Sequence, residues 1–269
     1  MTTPSLSSRT ALVTGSLQGI GFAIATAFAR TGARVAVHGL GTPQQADDAV
    51  AAMRAAGAAD ARFFPGDMRD PAAIDALMDA VAAWGGVDIL VNNAGIQQTA
   101  SLADVTRETW DAIIAVNLSA AFHTMRRALP AMAARGYGRV INVASAHGLV
   151  ASVDKAPYVA AKHGLIGLSK VAALEYAQAG TRESGGVTVN CICPGFTETP
   201  LIEPQIDARA GEVGGDRDAG IASLLAEKQP TRRLSSPDEI GALAVFLASE
   251  AAHNITGTAI SVDGGWTAQ

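Results

Sequence analysis

The feature that most restricts the fold is a glycine-rich stretch near the N-terminus. An apolar segment, Thr10–Val13, runs into TGSLQGIG at positions 14–21, and the helical pattern FAIATAFAR follows at once. Gly15, Gly19 and Gly21 allow a sharp backbone turn and a close approach to a pyrophosphate, whose charge is favoured by the free N–H groups of a helix N-terminus. This order of strand, glycine loop and helix predicts the first unit of a dinucleotide-binding domain. A tight strand-to-helix turn without a ligand is the alternative, because the motif alone does not exclude it.

The alternation of strand and helix patterns continues to the C-terminus. Helical patterns separate seven apolar segments, at 10–13, 34–39, 62–66, 87–95, 139–145, 187–195 and 258–265. Thr42, Asp70 and Ser236 each place a capping side chain directly before a proline, which predicts three helix starts. We therefore predict an α/β chain with one doubly wound Rossmann domain over residues 1–269, built on a seven-stranded parallel sheet with helices on both faces. The stretch 196–230 shows no clear period and predicts an irregular substrate lid.

Charge and hydropathy limit the classes of partner. The formal net charge is −5 without blocks of like sign, so we expect neither nucleic acid nor an anionic membrane surface as a partner. The longest apolar runs, such as 240–248, are shorter than the ~20 residues that span a bilayer, and the first ten residues lack a signal pattern. We expect a cytoplasmic protein that acts on small molecules. Cys191 and Cys193 share a face of one short strand, which predicts free buried thiols and no metal site.

The residues at the predicted strand ends bear on the cofactor. An acidic residue after the second strand often holds the adenine ribose, and a basic one accommodates a 2′-phosphate, but the residues here are His38, Gly39 and Leu40. We interpret His38 as an ordinary strand-end residue, and the missing basic group favours NAD over NADP. Asp67 accepts from an adenine amino group or caps a turn, and both interpretations stay open. The NNAG sequence at 92–95 suits a close approach to a cofactor or a simple asparagine turn.

A tyrosine and a lysine four residues apart supply the clearest chemical signal. If Pro157 opens a helix, Tyr158 and Lys162 share one helical face. A nearby ammonium group favours the phenolate, and a downward pKa shift of about 3 units would make Tyr158 a usable proton acceptor. Ser145 ends the apolar segment before this helix and would release its hydroxyl beside the helix start. The three groups suit alcohol-to-carbonyl chemistry, although a tyrosine and lysine at this spacing also occur as a surface pair without chemistry.

Asn117 interrupts a long helical pattern at 106–134. Asparagine is a poor helix former that bonds the backbone locally. Its neighbours, IIAVNLSAAF, are apolar, so we favour a buried, site-facing role over a solvent-facing one.

Together these motifs closely resemble the short-chain dehydrogenase/reductase family over essentially the whole chain. The matching motifs, in the family's order, are TGSLQGIG at 14–21, NNAG at 92–95, Asn117, Ser145, YVAAK at 158–162 and CPG at 193–195. The resemblance implies that Tyr158 is the general base in oxidation and the general acid in reduction, that Lys162 lowers the pKa of Tyr158 and holds the nicotinamide ribose, and that Ser145 hydrogen-bonds the reacting oxygen. Asn117 would anchor a water that passes protons onward. The implied cofactor-binding residues are Thr14, Gly15, Gly19, Ile20, Gly21, Leu40, Asp67, Met68, Asn93, Ala94, Gly95, Tyr158, Lys162, Pro194 and Gly195.

Within that family the chain is similar to bacterial NAD-dependent dehydrogenases of short 3-hydroxy acids. The local matches are HGLG at 38–41, NNAGIQ at 92–97, ASAHGLVAS at 144–152, YVAAKHGL at 158–165, KQPTRR at 228–233 and VDGGWTAQ at 262–269. This similarity implies a carboxylate-bearing substrate held on an anion site, with Trp266 as an apolar wall at its methyl end. The implied substrate-binding residues are Gln97, Ser145, His147, Lys155, Tyr158, Gln205 and Trp266. The segment 178–186 departs from the subfamily by its length, and we expect it to project into solvent.

Two rival functions and one assembly state follow. A 3-oxoacyl carrier-protein reductase that uses NADPH would share the fold and catalytic residues, but phosphate-binding arginines and a basic docking patch are not evident. A non-catalytic dinucleotide sensor would be expected to lack Tyr158, Lys162 or Ser145. The family resemblance also implies a homotetramer. The helical patterns at 106–134 and 158–179 are consistent with this state, because they present apolar residues on more than one face that need partners.

Overall fold

A seven-stranded parallel sheet forms the centre of the domain. The computed structural model describes residues 5–268. In that range the strands are β1 (Thr10–Val13), β2 (Arg34–Gly39), β3 (Ala61–Pro65), β4 (Ile89–Asn92), β5 (Tyr137–Val143), β6 (Gly186–Pro194) and β7 (Ala259–Val262). They pair in the order β3-β2-β1-β4-β5-β6-β7, and every pairing is parallel. The doubly wound fold class predicted from the alternating pattern is confirmed.

Helices cover both faces of the sheet. They are α1 (Gly19–Arg30), α2 (Pro43–Ala56), α3 (Pro71–Trp84), α4 (Arg107–Ile114), α5 (Ala120–Arg135), α6 (Ala156–Tyr176), α7 (Glu203–Glu212), α8 (Arg217–Lys228) and α9 (Pro237–Ala248). The three predicted caps are present, because Thr42, Asp70 and Ser236 accept hydrogen bonds from backbone N–H groups at the starts of α2, α3 and α9.

Two apolar cores lie on opposite faces of the sheet. One contains Phe28 of α1, Ile240 of α9 and the side chains of β1 that face them, such as Val13. The other contains residues of α3, α5 and α6, such as Leu129 and Leu165, against the opposite side of the sheet. Cys191 and Cys193 are buried free thiols in this second core, as predicted. The close packing of both cores keeps the sheet rigid, so the ends of the loops at its carboxyl edge are fixed in position.

Two of four local predictions need correction. The stretch 196–230 is not irregular, since α7 and α8 occupy most of it and bury Ile206 and Leu224 against Phe196. Their apolar residues pack on each other and on the strand ends, so the helical period is weak along the sequence. The long helical segment predicted at 106–134 is confirmed, because α4, a π-helical turn at 115–119 and α5 follow one another without a break from Arg107 to Arg135. Pro157 is the second residue of α6, which starts at Ala156. The segment 178–186 forms an exposed turn, as expected.

Candidate active site

A large cavity opens at the carboxyl edge of the sheet, beside the point where the strand order reverses between β1 and β4. Its volume is about 710 Å³. Ligands of doubly wound sheets bind at this position because the loops from the two halves diverge there. The predicted site residues that line the cavity are Gly15, Gly19, Ile20, Gly21, Leu40, Asp67, Met68, Asn93, Ala94, Gly95, Gln97, Ser145, His147, Lys155, Tyr158, Lys162, Pro194, Gly195, Gln205 and Trp266. Thr14 and Asn117 do not line it.

The glycine loop has the backbone that its sequence predicts. Gly15 and Gly19 have φ values of 65° and 59°, in a backbone region that residues other than glycine seldom adopt. A Cβ on Gly21 would overlap the carbonyl oxygen of Gly15 and the side-chain amide of Asn93. The loop thus passes close to α1 and leaves the N–H groups at the start of this helix facing the cavity, where they suit an anion.

Thr14 and Asn93 join the glycine loop to the end of β4. The Thr14 hydroxyl oxygen accepts from the N–H groups of Asn93 and Ala94, each at 3.0 Å. The Asn93 amide donates to the carbonyl oxygens of Thr14 and Gly15, at 2.9 and 3.0 Å. Thr14 is therefore a buried support beneath the cavity, and the NNAG sequence is bound into the site rather than forming a simple turn.

His38 does more than end a strand. The Gly15 N–H donates to its Nδ1 at 3.1 Å, and its Nε2 lies 3.1 Å from the carbonyl oxygen of Gly66. Because a carbonyl oxygen can only accept, Nε2 carries the proton. Burial lowers the pKa of His38 to about 4, so the ring is neutral near pH 7. This side chain joins the glycine loop to the loop that follows β3.

Asp67 caps a turn and binds an arginine that also lines the cavity. Its carboxylate accepts from the backbone N–H of Arg69 at 2.9 Å and from the Arg69 guanidinium at 2.6 to 3.1 Å. Hydrogen bonds from Arg69 lower the pKa of Asp67, and the same contact raises that of Arg69. The prediction that the cofactor edge has no basic group overlooked Arg69, but its charge is matched by Asp67. Leu40 beside them is largely exposed.

Ser145, Tyr158 and Lys162 line the same cavity and lie near one another. Ser145 follows β5, and its hydroxyl oxygen accepts from the backbone N–H of His147 at 3.1 Å. Tyr158 and Lys162 lie on one face of α6, with the ammonium nitrogen 5.5 Å from the phenol ring centroid. Lys162 donates to the carbonyl oxygen of Val143 at 2.8 Å, which leaves two of its N–H groups free of that bond. All three side chains are more than nine-tenths buried.

The expected lowering of the Tyr158 pKa is not present in this structure. Burial raises the pKa of Tyr158, and the nearby hydroxyl of Ser145 opposes the rise. Burial also lowers the pKa of Lys162 to about 8, because a charged ammonium is costly away from water. Lys162 is held by a backbone carbonyl and does not bond to the phenol. Near pH 7 the resting Tyr158 is therefore a protonated phenol.

Asn117 lies in the π-helical turn, beside Lys162. Its Oδ1 accepts from the Ile96 N–H and its Nδ2 donates to the Ile96 carbonyl, both at 2.8 Å. It also lines a small cavity of about 10 Å³ together with Lys162. That volume is close to the minimum for one water molecule. The buried placement agrees with the favoured interpretation of Asn117 over a solvent-facing one.

Three of the predicted anion-binding residues, Lys155, His147 and Gln205, lie together in the cavity, and Gln97 lines the same cavity. Lys155 precedes α6 and donates from Nζ to Oε1 of Gln205 on α7 at 2.9 Å. Burial, and then the nearby Lys228, lower the pKa of Lys155 to about 8. The ring centroid of His147 lies 5.9 Å from that of Tyr158 and 4.9 Å from that of Trp266, edge to face.

Trp266 forms an apolar wall beside these polar groups. It is almost fully buried and stacks on Phe196 with ring centroids 5.0 Å apart. Both rings belong to the cluster that includes Ile206 of α7 and Leu224 of α8. The wall thus connects Trp266 to α7 and α8.

Some site residues were missed by the sequence reasoning. Arg69, Phe196, Ser152 and Lys228 were not predicted, although Ser152 and Lys228 lie within motifs that carried the subfamily resemblance. Lysine is rare in this chain, and three of its four lysines gather around the cavity. That scarcity was the available signal for Lys228.

Comparison with known proteins identifies the class. The family model described as "Enoyl-(Acyl carrier protein) reductase" matches residues 15–267. The chain belongs to the short-chain dehydrogenase/reductase family and is an oxidoreductase.

Relatives and solved structures agree over nearly the whole chain. The D-beta-hydroxybutyrate dehydrogenase of Cupriavidus necator is 51% identical over 98% of this chain and 100% of its own. The enzyme of the same name from Rhizobium meliloti is 46% identical over 97% of this chain and 99% of its own. The structure of L-sorbose reductase from Gluconobacter frateurii, complexed with NADPH and L-sorbose, has a TM-score of 0.92 at 30% identity, with 100% of both chains covered. Among residues 5–268, no helix is both long and apolar enough to cross a membrane.

Proposed function

We propose that this enzyme interconverts D-3-hydroxybutyrate and acetoacetate by hydride transfer with NAD. The observation that carries the proposal is the position of Lys155, Gln205 and His147, which form a cationic, hydrogen-bonding end to the cavity that holds Ser145 and Tyr158. A short hydroxy acid offers a carboxylate to that end and a carbinol to the catalytic pair. The names of the two bacterial relatives support the same substrate.

The reaction assigns a separate task to each catalytic side chain. In oxidation, Tyr158 as phenolate takes the hydroxyl proton while the substrate carbon loses a hydride; in reduction, the phenol returns the proton. When bound, the dinucleotide supplies the hydride acceptor or donor. The Ser145 hydroxyl hydrogen-bonds the reacting oxygen. Lys162 holds the nicotinamide ribose with the N–H groups that Val143 does not use. Asn117 supports a water beside Lys162 that carries the proton onward.

The raised pKa of Tyr158 affects ketone reduction and alcohol oxidation differently. A protonated phenol at neutral pH is ready to act as an acid, which suits reduction of the ketone. Oxidation requires the phenolate, so it should become faster as the pH rises. The catalytic roles are thus compatible with a phenol whose burial keeps it neutral.

Recognition of the carboxylate depends on Lys155. One N–H of its ammonium is used by Gln205, which leaves two donors for an anion. Because Lys155 is buried, its charge is poorly screened, and a carboxylate would accept charge-assisted hydrogen bonds from its two remaining N–H donors. Gln97 lines the same cavity, and Trp266 with Phe196 gives an apolar surface for the methyl end.

The preference for NAD over NADP is supported by the adenosine edge of the cavity. His38 is neutral, Gly39 has no side chain, and Leu40 is apolar. Arg69 is paired with Asp67, whose carboxylate would repel a 2′-phosphate. NADP would therefore bring two negative charges to an edge without an unpaired cation among these residues.

The assembly, lid and location complete the proposal. Exposed apolar side chains lie on α4, α5 and α6, such as Trp110, Phe122 and Leu174, and suit subunit contacts in a homotetramer. Sedimentation showing a stable, active monomer would contradict that state. We also propose that the helices of 196–230 close over the substrate and that the enzyme works in the cytoplasm.

One assay separates the proposed activity from its rivals. The purified enzyme is given NAD or NADP with D- and L-3-hydroxybutyrate and longer 3-hydroxy acids, and reduction of the cofactor is followed by absorbance. We expect the highest efficiency with NAD and the D-isomer of the four-carbon acid. Activity confined to NADPH and a 3-oxoacyl carrier-protein thioester would overturn the proposal in favour of a carrier-protein reductase. Cofactor binding without turnover of any compound would favour a sensor.

A further inference from the structure

Behind the substrate end of the cavity, three side chains form a hydrogen-bonded chain that reaches the helix α8. Lys228, the last residue of α8, donates from Nζ to Oγ of Ser152 at 3.3 Å. The same Ser152 oxygen lies 2.9 Å from Nε2 of His147. Neither Ser152 nor Lys228 lines the cavity, so neither touches a substrate bound there.

The order of donors along this chain is set by chemistry. An ammonium group can only donate, so the Ser152 oxygen accepts from Lys228. The Ser152 oxygen could accept a second hydrogen bond, but its own hydrogen also needs an acceptor, and among the described residues Nε2 of His147 is the one within hydrogen-bond distance. A neutral imidazole that accepts at Nε2 carries its proton on Nδ1. The charge of Lys228 polarises the hydroxyl and makes it a better donor and a poorer acceptor, so the lysine favours donation to Nε2 over acceptance from Nε2–H.

The surroundings keep His147 neutral. Burial, followed by the charges of Lys155, Lys228 and His163, lowers the pKa of His147 to about 3. The rings packed against His147 are those of Tyr158 and Trp266. A neutral imidazole of uncertain tautomer would offer either an N–H or a lone pair to the cavity. Only the N–H suits a carboxylate, because a lone pair facing an anion is repulsive.

We propose that Lys228 and Ser152 are positioning residues that hold His147 as the Nδ1–H tautomer, so that it donates a hydrogen bond to the substrate carboxylate. This inference rests on the proposed function and adds a layer behind the anion site. Because Lys228 is the last residue of α8, the tautomer of His147 would depend on the position of α8, which belongs to the proposed lid. Lys228 also lies 3.7 Å from a carboxylate oxygen of Glu227, but Glu227 is exposed, so water screens this pair and weakens it.

The tautomer can be read without any substrate. Nitrogen-15 labelling of the five histidines, with two-bond proton–nitrogen spectra, distinguishes Nδ1–H from Nε2–H rings, and the variant His147→Gln assigns the signal. We expect the wild-type enzyme to show His147 as Nδ1–H. Lys228→Met and Ser152→Ala should shift the population toward Nε2–H. Lys228→Arg keeps a group that only donates and should preserve the wild-type tautomer.

Kinetics give a second readout, with Lys170→Met as the matched control because Lys170 is the lysine outside this site. Lys228→Met should raise KM for D-3-hydroxybutyrate by about 2- to 10-fold, the size of one neutral hydrogen bond, with a smaller effect on kcat. The efficiency toward the methyl ester should change less, and Lys170→Met should change neither. Thermal melts check that each variant is folded.

The outcomes separate this inference from the proposed function. An Nε2–H tautomer in the wild-type enzyme, or an unchanged tautomer in both Lys228→Met and Ser152→Ala, would overturn the positioning role even if the enzyme oxidises 3-hydroxybutyrate. Lack of activity on 3-hydroxy acids would instead refute the proposed function, and the tautomer result would still be measured.

Discussion

Replacing Lys155 with alanine tests whether the group formed by Lys155, Gln205 and His147 binds a carboxylate. The side chain is buried, and its Nζ is held 2.9 Å from Gln205, so its remaining donors are directed and poorly screened. A charge-assisted hydrogen bond of this kind contributes ~1.5 to 3 kcal/mol, which corresponds to a roughly 10- to 150-fold loss in kcat/KM. With a pKa of about 8, the lysine is largely protonated at neutral pH, so little of this effect is lost to titration.

The assay compares an acid with its uncharged analogue. D-3-hydroxybutyrate and its methyl ester are oxidised by wild-type enzyme and by Lys155→Ala, at saturating NAD and pH 7. The ester has no carboxylate for Lys155 to hold, so its kcat/KM should fall far less than that of the acid. Lys170→Ala, an exposed lysine on the same helix, is the control and should leave both substrates unaffected.

The pH profile adds an independent check with a defined sign. Lys155 is charged below its pKa of about 8 and loses its charge as the pH rises through that value. In the wild-type enzyme, kcat/KM for the acid should therefore fall relative to that for the ester above pH 8. Lys162 has a similar pKa but serves both substrates, so the ratio of acid to ester isolates Lys155. The decline in this ratio should disappear in Lys155→Ala.

Equal losses for acid and ester would refute the reasoning. They would mean that Lys155 supports α6 or Tyr158 instead of an anion, because the same change would then act on the shared chemical step. A ratio that stays constant across pH 8 in the wild-type enzyme would refute it as well.

The remaining predictions concern the proton, the glycine loop and the cofactor. Tyr158→Phe removes the transferable proton and should lower turnover by about 100-fold or more while NADH fluorescence titration shows nearly unchanged binding; retention of more than a tenth of the activity would contradict the assignment. Gly21→Ala places a Cβ against the Gly15 carbonyl and should cost about 1 to 3 kcal/mol of unfolding free energy and raise KM for NAD, as chemical denaturation and kinetics will show. Asp67→Asn removes the partner charge of Arg69 and should raise the ratio of NADP to NAD efficiency severalfold; an unchanged ratio would show that Arg69 does not reach the 2′-phosphate position.

Local patterns in the sequence carried much of the fold. The β1 segment, the glycine loop and the start of α1 were predicted because glycine adopts positive φ values such as those at Gly15 and Gly19 more readily than other residues. The caps Thr42, Asp70 and Ser236 were predicted because each acts within three residues of itself. The spacing of Tyr158 and Lys162 placed both on one face of α6 for the same reason.

Features that join distant parts of the chain were decided only by the tertiary structure. The helices α7 and α8 were missed because their apolar residues pack on Phe196 and Trp266. A search for helical periodicity in the sequence does not detect contacts of this kind. The pKa of Tyr158 was predicted in the wrong direction because burial opposes the charge of a neighbouring lysine, and burial is not visible in a spacing of four residues.

The anion site shows the same division most clearly. The sequence alone determined which residue types were available to bind a carboxylate, and resemblance placed Lys155 and His147 among them. Only the tertiary structure brought Gln205 to Lys155, 50 residues away, and Lys228 to Ser152, 76 residues away. Hydrogen bonds act over about 3 Å, so a chain of donors and acceptors is specified by the packing of α7 and α8 on Phe196 and Trp266 and not by neighbours in the sequence.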